Sequence, residues 1–210
     1  MRKVFLLAAM VVCAACGWAQ GDFSQRCRSG QLLHYKLLAD SCSVVVTHAA
    51  AEWPYYTDSR PAGVVEIPAE VVSGGRVYKV AGVGECAFYR CDGLAGVVLP
   101  EGCTSVGAQA FCGCAALDTL VLPSSLSAVG EGAFAYCRSL RVLRLPAAVA
   151  RPGLSAFACC TGLREVSMAG EAWCRRGVYL FFGVDWLEDA KCRANLADGT
   201  VLLRRDDKRR

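Results

Sequence analysis

The chain has 210 residues, 54% of them hydrophobic, with a formal net charge of +4 and a mean hydropathy of +0.33. That balance excludes the domain-wide basic face that nucleic-acid binding needs. With only two histidines, it also leaves little material for imidazole chemistry, whereas the 14 cysteines stand out.

Taken in chain order, Arg2 and Lys3 precede the apolar run Val4 to Val12, and Gly17 and Ala19 flank Trp18 in the small-residue pattern that signal peptidase reads. Residues 1–19 are therefore predicted to be a signal peptide, Gln20 the mature start, and the protein exported, at the cell surface or secreted. The run is short for a bilayer span. Cys16 follows Ala14 and Ala15 and keeps a second reading open, a lipid anchor on an outer-membrane lipoprotein, which is the one membrane attachment expected here. Loss of Arg2 and Lys3 lowers the charge to +2 and weakens the case for a nucleic-acid partner further.

Residues 20–63 are predicted to form an N-terminal cap, in which "GQLLHYKLLADSCSVVVT" (30–47) is a β-hairpin flanked by Cys27 and Cys42. The Ser73-Gly74-Gly75 stretch then turns a second hairpin, "EVVSGGRVYKV", near 70–80.

From here the chain repeats itself. Steps of 23 residues connect Phe88, Phe111, Phe134 and Phe157, and the same step connects Cys91, Cys114, Cys137 and Cys160. Leu94, Leu117, Leu140 and Leu163 keep the phase, as do Gly84, Gly107, Gly130 and Gly153. A period of this length marks a stack of supersecondary units, none of which can bury its apolar face alone. Within "LDTLVLP" (117–123), Leu120 and Leu122 share one strand face while Val121 points away, and Pro123 ends the strand. "SSLSAVG" returns across the stack, and "EGAFAYC" is predicted to make a short helical or 3₁₀ turn that carries Phe134 and Cys137 over the core. Downstream the pattern decays: Gly177, Leu180, Phe181, Val184 and Leu187 make a degenerate last unit, and "NLADGTVLL" supplies a turn and a closing strand.

The repeating cysteines fill one slot between Phe and Leu, where a small thiol completes a core. Strands about 4.8 Å apart, splayed by curvature, place neighbouring ladder cysteines poorly for a disulfide. Cys91, Cys114, Cys137 and Cys160 are thus expected to be buried free thiols, and the irregular Cys27, Cys42, Cys174 and Cys192 to be the candidates for disulfide pairing after export.

Catalytic readings find little support. His34 and His48 both lie in the cap without an evident carboxylate or amide to orient them, so a Cys-His dyad is not expected. "GVGECA" (82–87) imitates a dinucleotide fingerprint but belongs to the repeat, so no cofactor is expected. Cys112-Gly113-Cys114 and Cys159-Cys160 lack the paired spacing of a zinc site, and no metal is expected. An enzyme is the least favoured class.

The unit "LDTLVLPSSLSAVGEGAFAYCRS" (117–139) resembles the treponemal-type, BspA-like class of bacterial leucine-rich repeats, and the resemblance covers residues 64–168. It implies an α/β repeat solenoid. In this fold a right-handed coil of short leucine-rich repeats carries parallel strands on one face and short helical or 3₁₀ turns on the other. A β-hairpin cap precedes it, and a degenerate repeat with a C-terminal cap and tail occupies 169–210. It also implies a surface or secreted interaction module, adhesive toward host extracellular matrix or toward host or bacterial surface proteins, the alternative being a structural envelope component with no dedicated ligand. The candidate ligand-binding strand face takes in the outward positions Val98, Thr119, Val121, Arg144, Glu165 and Ser167, together with Arg141 and Arg164. Apolar groups beside arginines suit protein recognition.

Overall fold

The computed structural model describes residues 22–50, 55–56, 60–169, 179–188 and 200–205. The predicted signal peptide with Cys16, and the cysteines Cys174 and Cys192, lie outside them.

The cap begins as an antiparallel meander of β1 (Phe23–Arg26), β2 (Leu32–Leu37) and β3 (Ser43–Thr47), which contains the hairpin expected at 30–47. Alternating Leu33, Tyr35, Val44 and Val46 face inward and are buried, as period-2 patterning requires. β4 (Gly63–Glu66) opens the stack, and β5 (Glu70–Ser73) turns through Gly74 and Gly75 into β6 (Arg76–Val83), with Ser73 opposite Arg76. Both turn glycines hold positive φ, 56° and 78°, as a two-residue hairpin loop demands.

Two rows of parallel strands follow. One joins the cap sheet: β3 pairs with β6, β6 with β8 (Ser105–Val106) and β8 with β10 (Ala128–Val129). The other runs β4, β7 (Leu94–Val98) and β9 (Thr119–Val121). It resumes as β11 (Val142–Arg144) and β12 (Glu165–Ala169), on which β13 (Thr200–Arg204) closes antiparallel. No ladder joins β9 to β11, so this row is two three-stranded sheets with a seam between them.

The side opposite this row differs from expectation. The segments around Phe88, Phe111, Phe134 and Phe157 are turns and not helices, and helical residues appear among the described ones only downstream, at 179–180 and Asp185–Glu188. The reason lies in where the amides go. The N–H groups of Ala87, Tyr89 and Cys91 donate to carbonyls three residues back in their own unit, at 3.4, 3.0 and 3.1 Å. The intervening Cys86, Phe88 and Arg90 donate to Ala108, Ala110 and Cys112 of the next unit at 3.0, 2.7 and 2.8 Å. A helix needs every amide for itself; here alternate amides tie neighbouring units together. The alternation forces left-handed backbone two residues before and after the phenylalanine, at Cys86, Arg90, Gln109, Tyr136, Ser155 and Cys159 among others.

The phenylalanines stack along the axis. Phe88, Phe111, Phe134, Phe157 and Phe181 have successive centroid separations of 5.0, 5.1, 5.4 and 5.6 Å, with the first three pairs within 6° of parallel. Phe181 and the buried Leu180, Val184 and Leu187 show that the described part of the degenerate unit, 179–188, packs onto the core as the repeats do. The periodic glycines allow this spacing: a Cβ on Gly107 or Gly130 would sit 2.6 or 2.5 Å from a backbone nitrogen of the unit before.

Candidate functional site

The cysteine ladder is scaffold. Cys114, Cys137 and Cys160 donate their thiols to the carbonyls of Phe88, Phe111 and Phe134 at 3.1, 3.3 and 3.1 Å, one unit back. All four ladder cysteines are buried and free. Burial pushes the Cys91 thiol up to about 12 and raises that of Cys114 too; a hydrogen bond from Cys160, together with burial, raises Cys137. A thiol that keeps its proton at neutral pH is neither a nucleophile nor a metal ligand.

Cys27 and Cys42 are not brought together. They sit in turns at opposite ends of the six-residue β2, about 20 Å apart at strand rise. Each has its own contact: Cys27 Sγ lies 3.0 Å from Ser29 Oγ, and Cys42 donates to Asp40 O at 3.1 Å. A disulfide requires Cα atoms within about 7 Å.

An aromatic cluster in the cap had no place in the sequence reading. Tyr56 donates its hydroxyl to Ala87 O, and Tyr55 meets Tyr89 edge-on at 5.9 Å and His48 at 4.5 Å. His34 lies against Ser24 Oγ at 2.8 Å through Nδ1, and burial, reinforced by His48, holds its pKa down to about 4. The aromatic pair in "WPYYTDS" was the available signal. The cluster pins the segment at 55–56 onto the first turn. Among the described residues, no group of three or more His, Cys, Asp or Glu stands where it could hold a metal ion. No described helix is long and apolar enough to cross a membrane.

The strand face carries the remaining chemistry. Ladder register aligns Val64, Gly96 and Thr119 in one outward row, and Glu66, Val98 and Val121 in the next. Beyond the seam, Val142 aligns with Glu165, and Arg144 with Ser167 and Leu202. Val64, Val121 and Val142 are exposed at 50%, 47% and 41%. Gly96 is buried between Val64 and Thr119, where an added Cβ would lie 3.2 Å from the one and 3.3 Å from the other.

At the rim where the strands begin, backbone bonds place three arginines side by side: Arg164 N donates to Arg141 O, and Arg205 N to Arg164 O, both at 2.8 Å. All three are exposed. Arg144 reaches Glu165 at 3.5 Å with most of its side chain in solvent. At the seam, Leu120 and Leu122 are only partly buried, although their counterparts Val97, Leu99, Leu143 and Leu145 are buried.

This geometry of short stacked units defines a leucine-rich repeat protein. Residues 79–197, more than half of the chain, match the family model described as BspA type leucine rich repeat region, in 6 copies. The chain belongs to that family. It is similar to a leucine-rich repeat protein from Bacteroides ovatus (TM-score 0.53, 23% identity, 72% of this chain and 43% of that one). A second, from Bacteroides capillosus, gives a TM-score of 0.52 at 26% identity over 66% of this chain and 94% of the other. The leucine-rich repeat protein of T. pallidum gives 0.54 at 24% identity, over 71% and 66%. This chain thus covers under half of the B. ovatus protein. No curated protein matches the chain.

Proposed function

We propose that the chain is an exported protein-interaction module whose strand face binds a protein, as a surface adhesin-like binder of host extracellular or bacterial surface proteins. The observation that carries this reading is the exposed face itself. Val64, Val121 and Val142 stay open to water on two ladder-paired sheets either side of the seam, with Arg141, Arg144 and Arg164 alongside. A fixed apolar strip flanked by arginine is the composition of an interface core. Among the described residues, burial raises the pKa of the ladder thiols Cys91 and Cys114, and His48 is engaged in packing against Tyr55.

The test is saturable binding of the full chain to immobilised fibronectin, fibrinogen and whole bacterial cells, beside a Val121→Asp, Arg144→Glu double variant whose folding is verified by circular dichroism. Binding that the variant loses supports the reading. Binding that the variant keeps moves the site off the strand face. No binding to any surface by folded protein favours a structural envelope component, and cell fractionation that finds the chain inside the cell refutes export.

A further inference from the structure

We propose that the cap holds a second binding site, a slot between β1 and β5 that takes an extended strand of a partner protein by backbone pairing. It lies apart from the strand face proposed above and does not rest on it. β1, β2, β3, β6 and β5 are joined in that order by ladders, parallel between β3 and β6 and antiparallel elsewhere. This sheet curls until its ends approach. Phe23 of β1 lies 5.7 Å from Tyr78 of β6 between ring centroids, and the Val72 N–H of β5 donates to Gln25 Oε1 of β1 at 3.4 Å. Yet no ladder joins β1 to β5, so the curled sheet stays open along one line.

Both walls of that opening are strand edges. Ala69 O accepts from Val80 N, and the alternation of the β5 ladder then turns the peptide groups of Val71 and Ser73 toward β6 and those of Glu70 and Val72 away from it. Cys27 N donates to Gln31 O, which in the same way turns Phe23 and Gln25 toward β2, and Ser24 and Arg26 outward. Ser24, Arg26, Glu70 and Val72 are all exposed. Among the described residues, one of their outward backbone groups has a protein partner, the Val72 N–H, and that partner is the Gln25 carboxamide. A carboxamide offers the carbonyl acceptor and N–H donor of a peptide unit, so Gln25 Oε1 stands where the carbonyl of an added strand belongs. Unpaired edges recruit extended segments in this way. Among the described strands, β1 pairs with β2 alone and can swing out to the two strand spacings, about 9.6 Å, that an inserted strand needs. The walls also define the side chains. The half-buried Phe23 and Tyr78 floor the slot and call for apolar groups at every second position. Arg26 on one wall and Glu70 on the other suit polar groups at the alternate positions and disfavour a polyanion.

The experiment uses the full chain and a fluorescent nine-residue peptide that alternates valine with threonine. Its control is the same peptide N-methylated at every second residue, which removes the donors along one edge. Expected is saturable anisotropy binding of the parent peptide, weakened at least about tenfold by the methyl groups. Val72→Pro deletes an edge N–H that β6 does not use, a change an edge strand tolerates, and should weaken binding about tenfold. Gln25→Ala vacates the acceptor's place and should tighten binding about threefold, the reverse of what loss of a purely structural contact would do. Gln25 is exposed, so this variant is expected to keep the wild-type circular dichroism spectrum and decides the matter if Val72→Pro unfolds the hairpin. Binding that ignores N-methylation or survives a folded Val72→Pro would overturn the proposal, as would no binding by either wild type or Gln25→Ala. Binding lost in the Val121→Asp, Arg144→Glu variant and kept in Val72→Pro would overturn it in favour of the strand face. Dimerisation in sedimentation equilibrium that Val72→Pro abolishes would replace the partner by a second copy of the chain. The surface-binding assay above tests the strand face separately, so failure of the slot leaves that reading standing.

Discussion

Replacing Phe134 by alanine tests the claim that the stack of rings along the axis is what couples the repeats. Phe134 is fully buried between Phe111 and Phe157, at 5.1 and 5.4 Å, with ring planes 6° and 2° apart. A buried aromatic side chain removes about 150–250 Å² from water. At about 25 cal/mol per Å² that is about 4–6 kcal/mol, an upper estimate because unfolded chains already hide some of it. The cavity left by truncation pushes the other way, and the expected loss is about 3–5 kcal/mol. The decisive measurement is a double-mutant cycle with Phe134→Leu and Phe157→Leu, followed by urea unfolding of the full chain with circular dichroism. Leucine keeps the core filled, so each single variant is expected to remain folded. The stacked pair should show a coupling of about 1 kcal/mol. Phe88→Leu with Phe157→Leu, two units removed from contact, should be additive within about 0.5 kcal/mol. Zero coupling in the stacked pair, or a Phe134→Ala loss below about 2 kcal/mol, would refute the reasoning.

Gly130→Ala should cost about 2–3 kcal/mol in the same assay, because its Cβ would meet backbone atoms of Gly107 and Ala108 that cannot yield. Gly102→Ala, in open space at φ +93°, should lose only about 1–2 kcal/mol through backbone strain. Alkylation by iodoacetamide at neutral pH, read by mass spectrometry, should modify the exposed Cys42 quickly and spare Cys91, Cys114, Cys137 and Cys160 until urea unfolds the chain; rapid modification of the ladder in folded protein would contradict its burial. Stability should fall as pH drops from about 6.5 toward 4, since the folded state holds His34 at about 4 and so binds fewer protons than the unfolded chain across that window. Allowing for the partial exposure of His34, its share is about 1–2 kcal/mol, and His34→Gln should flatten the slope of the urea midpoint against pH.

The repeat was legible because it is written in columns. A unit that stacks on copies of itself meets the same neighbours each time, so Phe88 to Phe157, Cys91 to Cys160 and the glycines of the close approach recur at one interval and disclose core, thiol slot and axis together. The two hairpins were legible from local turn chemistry, as at Gly74-Gly75. The outward positions of the strands followed from a period of two once the strands were placed, which is why Val98, Val121 and Arg144 fall where alternation puts them.

What the tertiary structure alone decided depends on partners far away in sequence. "EGAFAYC" reads as a helical turn because local pattern does not reveal that every second amide is spent on the neighbouring unit. The same blindness set Cys27 and Cys42 among the candidates for disulfide pairing, when the length of β2 holds the two at opposite ends. It hid Tyr56 on Ala87, which closes the cap onto the first turn. The seam and the arginine rim belong here too: β13 arrives antiparallel from beyond the repeats, and only its register with β12 sets Arg205 beside Arg164. Periodicity fixes what a residue does for its own unit and the next. Which distant strand closes the sheet, and where a ladder fails to form, is settled by the packing of the whole chain.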